Sequence, residues 1–362
     1  MKELSACPDL EVEVVAFSKR ILRPVALTIG VPPIHVHILP ALIGTGMPSG
    51  WILRRAIVKR YLRTLAPDIV HGHRTITGYG LLAVQSGYPS LITIHEIISD
   101  VVRTQGPTFA LRMGKAVESL WLKRAPNVIA VSQCLKRKLS AFCSGQIHTI
   151  PNMVDSRYYS VERGVPGARI LTVGRICPEK GNLDLIRAAA ILGKQGSQIA
   201  LDIVGGPSGP SGKAYLEECR VVAAQNIGTL TVEFHGALDL PDIAALQAKA
   251  SVAVFPSTAP YETFCLGVAE ALAASVPSIV YRHGPLPEHI EEGINGFIVE
   301  PGDIDQLAAS MGAVVLNPVL SRSMGISARN SVARYRPEAV IAKTVEVYRS
   351  ILSGVSEPAS KS

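Results

Sequence analysis

A chain of 362 residues, 48% hydrophobic and 18% charged with a mean hydropathy of +0.27, is too long for one ordinary domain and too apolar for a disordered one. Its formal charge of +7 is uneven: residues 1–150 hold 18 Lys and Arg against 8 Asp and Glu, and residues 151–362 hold 18 against 21. The basic half suits an anionic partner, which on charge alone could be nucleic acid, a membrane surface or an anionic substrate. Six cysteines with no CxxC pair argue against a metal cluster and read as the reduced thiols of a cytoplasmic protein. The start has no basic segment followed by an apolar core and a small-residue cleavage site, so secretion is not expected.

The first predicted strand runs from Leu10 to Phe17, where Glu11 and Glu13 alternate with apolar residues. Residues 24–53 carry no charge, but Pro24, Pro32, Pro33, Pro40 and Pro48 rule out a membrane-spanning helix. A short strand is expected at His35 to Leu39, then an apolar loop. Trp51 to Leu65 sets Arg54, Arg55, Lys59, Arg60 and Arg63 among apolar residues at helical spacing. That pattern fits either an outer helix packed on a sheet or an interfacial helix on anionic lipid.

Short apolar runs then alternate with helical stretches: Ile69-Val70, Ile76 to Gln85, Ser90 to Ile94, Leu111 to Leu122, Val128 to Ser132, Cys134 to Phe142 and His148 to Ile150. This is the rhythm of a parallel sheet with crossover helices. It lapses from Arg157 to Ala168, the expected domain boundary. A second series follows, with strands at Ile170 to Val173, Gln198 to Val204, Val232 to Phe234, Ser251 to Phe255, Ser278 to Tyr281 and Phe297 to Val299. Gly205 to Gly212 is expected to be a loop between a strand and the helix Tyr215 to Gln225. The expected domains are 1–160 and 165–335, with a helix over 336–352 packing back on the first domain and a disordered tail over 353–362.

Two stretches carry the chemistry. In Gly174-Arg175-Ile176-Cys177-Pro178-Glu179-Lys180-Gly181, a glycine turns the chain at a strand end and two cations follow, as a diphosphate requires. After the run Ser251 to Phe255 comes a loop holding Glu262, then a helix holding Glu270. Free amides at a helix start suit an anion, and carboxylates beside an anion site suit hydroxyls. Together they suggest a sugar attached to a diphosphate. Asp303-Ile304-Asp305 spells the DxD of metal-dependent transferases but opens a helix after Pro301-Gly302, so N-capping is expected. Gly206 to Ala214 lacks the first glycine and the Ser/Thr of a P-loop.

The Gly174-Arg175…Lys180-Gly181 turn and the eight-residue step from Glu262 to Glu270 resemble retaining nucleotide-sugar glycosyltransferases of the GT-B fold, family GT4. Pro67 to His73, Leu91 to His95, Ile150 to Asp155, Glu288-His289-Ile290 and Gly293 to Val299 resemble the same family in the same order. The resemblance implies two doubly wound α/β domains of Rossmann type facing a cleft, and transfer of a sugar from a nucleotide diphosphate sugar, UDP by default, to a glycan or lipid-linked acceptor. No cofactor or metal is implied, and no nucleic-acid partner. The implied setting is cell-surface polysaccharide biosynthesis in the cytoplasm, with peripheral contact between the basic half and an anionic membrane face.

Carried over residue by residue, Gly174, Arg175 and Lys180 and the amides of Phe264, Cys265 and Leu266 bind the diphosphate. Glu270 binds ribose hydroxyls and Glu262 the sugar hydroxyls, while His95 contacts the transferred sugar. His71 and His73 are weaker candidates, for which a structural place at a strand end serves equally. The implied route is front-face, the leaving phosphate taking the acceptor's proton. The chain departs from the family in Thr263 and Cys265, where glycine is common, and in lacking the usual first strand with its Gly-rich loop. An alternative expectation is therefore an N-terminally truncated, inactive nucleotide- or glycan-binding relative. An epimerase on the same fold is disfavoured by the Glu262/Glu270 pattern.

Overall fold

The computed structural model describes residues 2–41, 52–75, 78–105, 109–165 and 167–355. The chain divides into two compact units, Met1–Pro151 with Pro337–Ser362, and Asn152–Arg336.

In the first unit, β1 (Glu13–Ser18), β2 (Val25–Ile29) and β3 (Ile34–Pro40) form a sheet of order β1-β3-β2, with β1 parallel and β2 antiparallel to β3. The strand at Val25–Ile29 was not expected, because the prolines around it mask its pattern. It is the outer arm of a hairpin that turns at Gly30 (φ 77°), and all five of its residues are exposed. The helix Ile52–Leu65 buries Val58 and Leu62, and its Tyr61 hydroxyl lies 2.9 Å from His37 Nδ1 on β3. It is thus a sheet-packing helix, with Arg55, Arg60 and Arg63 exposed. The start of that predicted helix at Trp51 lies outside the described residues.

A second sheet of this unit holds β4 (Val70–His73), β5 (Ser90–Ile94), β6 (Asn127–Ala130) and β7 (Gln146–Thr149), in that order and all parallel. Every residue of β5 is buried, as a central parallel strand demands. A helix at Ile98–Gln105, absent from the sequence reading, precedes the expected one at Phe109–Leu122. Its start is fixed by Glu118, whose carboxylate accepts from the Ile98 amide at 3.1 and 3.2 Å. The helix Pro337–Val355 belongs to this unit, where its Tyr348 hydroxyl reaches His71 on β4 at 2.6 Å. The part of the expected tail from residue 356 onward lies outside the described residues.

The second unit is one six-stranded parallel sheet of β8 (Arg169–Val173), β9 (Ile199–Val204), β10 (Leu230–Gly236), β11 (Val252–Phe255), β12 (Ser278–Tyr281) and β13 (Gly296–Val299). Its order is β10-β9-β8-β11-β12-β13. The chain thus winds outward from β8 one way and then restarts at β11 on the other side, making a switch point at their carboxyl ends. Aliphatic residues of β8, β9, β11 and β12 pack against Leu185, Ile186 and Leu192 of the helix Asn182–Lys194 and Leu307 and Met311 of the helix Ile304–Val315 in one core. No single described helix is long and apolar enough to cross a membrane.

Two corrections concern boundaries. The division between units falls at Pro151, ahead of the expected stretch 157–168, because the residues after it are tied to the second unit. The Val154 amide donates to Tyr335 O (2.9 Å), Tyr159 Oη to Val332 O (2.8 Å), and Arg163 to the carbonyls of Ser275 and Ser321. The expected loop Gly205 to Gly212 is half helix. The helix Gly209–Ala224 begins inside it, with Pro210 in its first turn, where a missing N–H costs nothing.

Candidate active site

Gly174 follows β8 at the switch point, and its amide donates to Val204 O (2.9 Å) at the end of β9. The neighbouring turn comes so close that a Cβ on Gly205 (φ 139°) would sit 1.8 Å from Gly174 O. Next along the chain, Arg175 is exposed, with Nη1 3.3 Å from Ser208 Oγ and its guanidinium 5.3 Å from the Tyr261 ring centroid. Lys180 ends a short 3₁₀ turn, Pro178–Lys180, that stops at Gly181 (φ 69°). A Cβ there would meet Pro256 O at 2.1 Å, so the two stretches singled out in the sequence touch at this point.

The loop after β11 is pinned along its length. Thr258 N donates to Glu179 O (2.8 Å), and His283 Nε2 to Ala259 O (3.2 Å). His289 Nε2 donates to Phe264 O. Since that nitrogen carries the proton, Nδ1 must accept, and the Tyr335 hydroxyl supplies the donor at 3.0 Å. Tyr335 in turn accepts from Arg334 Nη2 at 2.9 Å. Burial pushes the His289 imidazole down to about 4, which keeps it neutral and fit for this relay.

Lys180 Nζ lies 2.5 Å from Glu262 Oε2, with the two side chains only 20% and 13% exposed. Burial disfavours the ammonium, but the neighbouring Cys265 and Glu262 more than offset it, and the pKa lies above the ordinary value. Cys265 precedes the helix Leu266–Ala273 in a left-handed conformation (φ 62°), where the family commonly has glycine, at a strain of about 1 kcal/mol. Burial pushes its thiol up to about 12, so it is a neutral wall rather than a nucleophile. The amides that open this helix have no intrahelical partners.

Glu270 lies on the same helix, where burial, then the charge of Asp155, pushes its carboxyl up to about 7. Tyr158, buried on the short 3₁₀ segment Ser156–Ser160 and not singled out by the sequence reading, favours its charge. The reading also missed Asn182, which lines a small cavity with Gly174, Arg175, Lys180, Phe255, Ser257 and Cys265. Asn182 is 4% exposed, and its Oδ1 has no hydrogen-bond partner among the described residues. Both signals are long-range contacts with no local sequence pattern.

In the first unit, His71 and His73 project from β4, and His95 follows β5. His71 is held by Tyr348 on one nitrogen and Thr93 Oγ1 (2.7 Å) on the other, which fits a structural place. His73 stacks on it at 4.4 Å and reaches His95, Nδ1 to Nε2, at 3.3 Å. Burial, then the neighbouring imidazoles, holds His71 well below its ordinary pKa and His73 down to about 4.

Metal ligation has one candidate among the described residues, Asp202, Glu233 and His235. Arg169 Nη1 already occupies both Asp202 oxygens at 2.6 and 2.8 Å, so this is a charge network. Asp303 Oδ1 accepts from Gln306 N at 2.9 Å, the helix cap that its sequence context predicted.

Two family models match nearly end to end: Glycosyltransferase Family 4 over residues 3–158 and Glycosyl transferases group 1 over residues 163–331. The MMP alpha-(1->4)-mannosyltransferase of Mycolicibacterium hassiacum is 28% identical over 308 residues, covering 80% of this chain and 72% of that protein. The sucrose-phosphate synthase of Thermosynechococcus elongatus superposes with a TM-score of 0.77 at 21% identity, over 98% of this chain and 92% of that one. Anabaena Alr3699/HepE, solved in complex with UDP, gives a TM-score of 0.70 at 19% identity, over 87% and 86%. The two matched models, the ordered motifs and the parallel sheets of both units agree, and the chain belongs to the group 1 glycosyltransferases of family GT4, with the α/β GT-B fold.

Proposed function

We propose that this glycosyltransferase moves a sugar from a nucleotide diphosphate sugar, UDP by default, to a glycan or lipid-linked acceptor with retention and without a metal ion. The observation that carries this reading is the Lys180–Glu262 pair, which joins a cation for the leaving diphosphate to an acceptor for sugar hydroxyls at the switch point. A lysine ammonium has three donors, so Lys180 can keep Glu262 and still meet a phosphate oxygen. Arg175 and the open amides of Cys265 and Leu266 add positive potential where the sugar–phosphate bond breaks. Glu270 takes the ribose hydroxyls. Gly174 allows the close approach of backbone to diphosphate, and Phe264 is the point from which His289 fixes the helix start.

Departure of the diphosphate leaves an oxocarbenium-like sugar, and the phosphate oxygen takes the acceptor's proton on the same face. His95, oriented by His73, is the proposed contact to the transferred sugar. HepE in complex with UDP supports a nucleotide donor. The exposed arginines of Ile52–Leu65 support a peripheral place at a cytoplasmic membrane face, in cell-surface polysaccharide assembly.

The test is a panel of nucleotide sugars screened for protection against thermal unfolding, followed by nucleoside-diphosphate release with and without EDTA and an anomeric assignment of the product. No protection by any donor removes the reading; loss of activity in EDTA removes the metal-independent route. One observation favours a second reading, nucleotide binding without turnover: the strands of the first unit lie in two separate sheets. Protection without nucleoside-diphosphate release, over a panel of acceptors, would support it.

A further inference from the structure

We infer that Tyr261 is a positioning residue for Arg175: its ring, with the Ser208 hydroxyl, holds the guanidinium in place for the donor diphosphate. The inference rests on the donor reading above and adds to it how the exposed cation of the site is kept ordered.

The two cations of the turn after β8 have different surroundings. Lys180 is largely buried and fixed by its pair with Glu262. Arg175 is exposed, and ordering a free arginine side chain on a ligand costs affinity. Here much of that ordering is built in. The Arg175 guanidinium lies 5.3 Å from the Tyr261 ring centroid, within the range of a cation–π contact, and Nη1 donates to Ser208 Oγ at 3.3 Å.

Both holding groups are themselves fixed. Tyr261 directly precedes Glu262, so consecutive residues of the loop after β11 hold the two cations of the turn after β8. The half-buried Tyr261 has its hydroxyl 3.7 Å from Cys177 Sγ, two residues beyond Arg175, so the far end of the ring is set on the same turn. Ser208 stands at the N-terminus of the helix Gly209–Ala224, where a serine ordinarily caps its own helix. Its side chain makes no such bond and meets Arg175 instead. The backbone underneath is laddered, with Ile176 N donating to Gly206 O at 2.9 Å and Ser208 N to Ile176 O at 3.1 Å. A guanidinium has five N–H donors, so one spent on Ser208 leaves enough for bidentate recognition of phosphate oxygens. A ring that only filled the loop would matter equally to a nucleoside and to its diphosphate. A ring that positions Arg175 matters to the phosphates alone.

The test is the affinity of UDP and of uridine, or of GDP and guanosine where the donor screen selects guanine, measured by ligand-observed NMR competition at one ionic strength. The proteins are the full-length wild type, Tyr261→Leu, Tyr261→Phe, Ser208→Ala, Arg175→Ala and the double variant of Tyr261→Leu with Arg175→Ala. The ratio of the two affinities reads the diphosphate contact, because base and ribose are common to both ligands. Tyr261→Leu should lower this ratio about 3- to 5-fold and leave the nucleoside affinity alone. Ser208→Ala should shift it in the same sense, and Tyr261→Phe, which keeps the ring, should restore it. With Arg175→Ala in place, Tyr261→Leu should cost nothing further. Equal losses on both ligands, no loss on either, a loss in Tyr261→Phe as large as in Tyr261→Leu, or a full further loss in the double variant overturns the proposal and leaves the donor reading intact. Failure of the wild type to bind any nucleoside diphosphate overturns both. Should Tyr261→Leu not fold, phenylalanines of increasing fluorination at position 261 drain the ring's negative face while keeping its shape. A ratio that falls stepwise with fluorination supports the proposal, and a constant one overturns it.

Discussion

Lys180 and Glu262, 82 residues apart, meet at 2.5 Å and tie the turn after β8 to the loop after β11. Because both side chains are largely buried, removing either leaves the other charge with poor solvation. Lys180→Ala is expected to lower kcat/KM by about 100-fold or more, the scale of losing one preorganised charge at a developing anion. Arg175→Ala, at an exposed position, should weaken diphosphate binding less, and Asp303→Ala should leave donor kinetics alone while lowering stability by about 1 kcal/mol through loss of a cap. Steady-state kinetics with the donor found in the screen checks the order; equal kinetic losses in all three contradict it.

The close approach at the switch point makes a second prediction. Gly205→Ala would place a methyl 1.8 Å from Gly174 O and Gly181→Ala one 2.1 Å from Pro256 O, both backbone atoms that cannot step aside. Each should destabilise the protein by about 3 kcal/mol and weaken donor binding. Gly228→Ala, also at positive φ (101°) but with open space around it, should cost only the strain, about 1 kcal/mol. Denaturant melts of the three variants give the comparison.

Glu118 makes a pH prediction. Burial pushes its carboxyl up to about 7, above the model-compound value of 4.5. The folded state therefore binds its proton more tightly than the unfolded chain. The resulting stability is fully present below pH 4.5 and lost as pH rises through about 7. Glu118→Gln has no such titration, so its melting temperature relative to wild type should climb between pH 5 and 8. A constant difference across that range would refute the assignment.

The histidines of the first unit act in the opposite sense. With His73 held down to about 4, its contribution is present above 6.5 and lost as the pH falls toward 4. His73→Gln should flatten that part of the acid-unfolding profile. Tyr348→Phe, which strips a 2.6 Å hydrogen bond from half-buried His71, should destabilise the first unit by about 1 kcal/mol at neutral pH. Hydrogen exchange on β4 and the helix Pro337–Val355 reads both.

The strand–turn–helix pieces of the second unit were legible because each keeps its own period: four apolar residues at β11, glycines at the turns, and Asp303 before Ile304. Arg175, Lys180, Glu262 and Glu270 could be named because they flank such strand ends. What joins them could not be read. Nothing near Tyr158 announces that it acts on Glu270, 112 residues on, and nothing near Asn182 announces that it lines a cavity beside Lys180. The strand Val25–Ile29 was hidden for another reason: an exposed hairpin arm owes its form to pairing with β3, so it need not alternate. The helix Ile98–Gln105 likewise takes its start from a carboxylate 20 residues away.

The hydrogen bond from Val154 N to Tyr335 O brings together the places where the polypeptide enters and leaves the second unit. A segment whose two ends meet is, in topological terms, an interchangeable cassette. It can be cut out and another inserted with little change to the host's own path. Exchange of Asn152–Arg336 for the matching stretch of another group 1 glycosyltransferase would carry Lys180, Glu262, Glu270 and Tyr158 as one parcel. On the proposed reading, the diphosphate and ribose contacts would then pass between proteins in a single recombination, with His95 staying behind in the first unit.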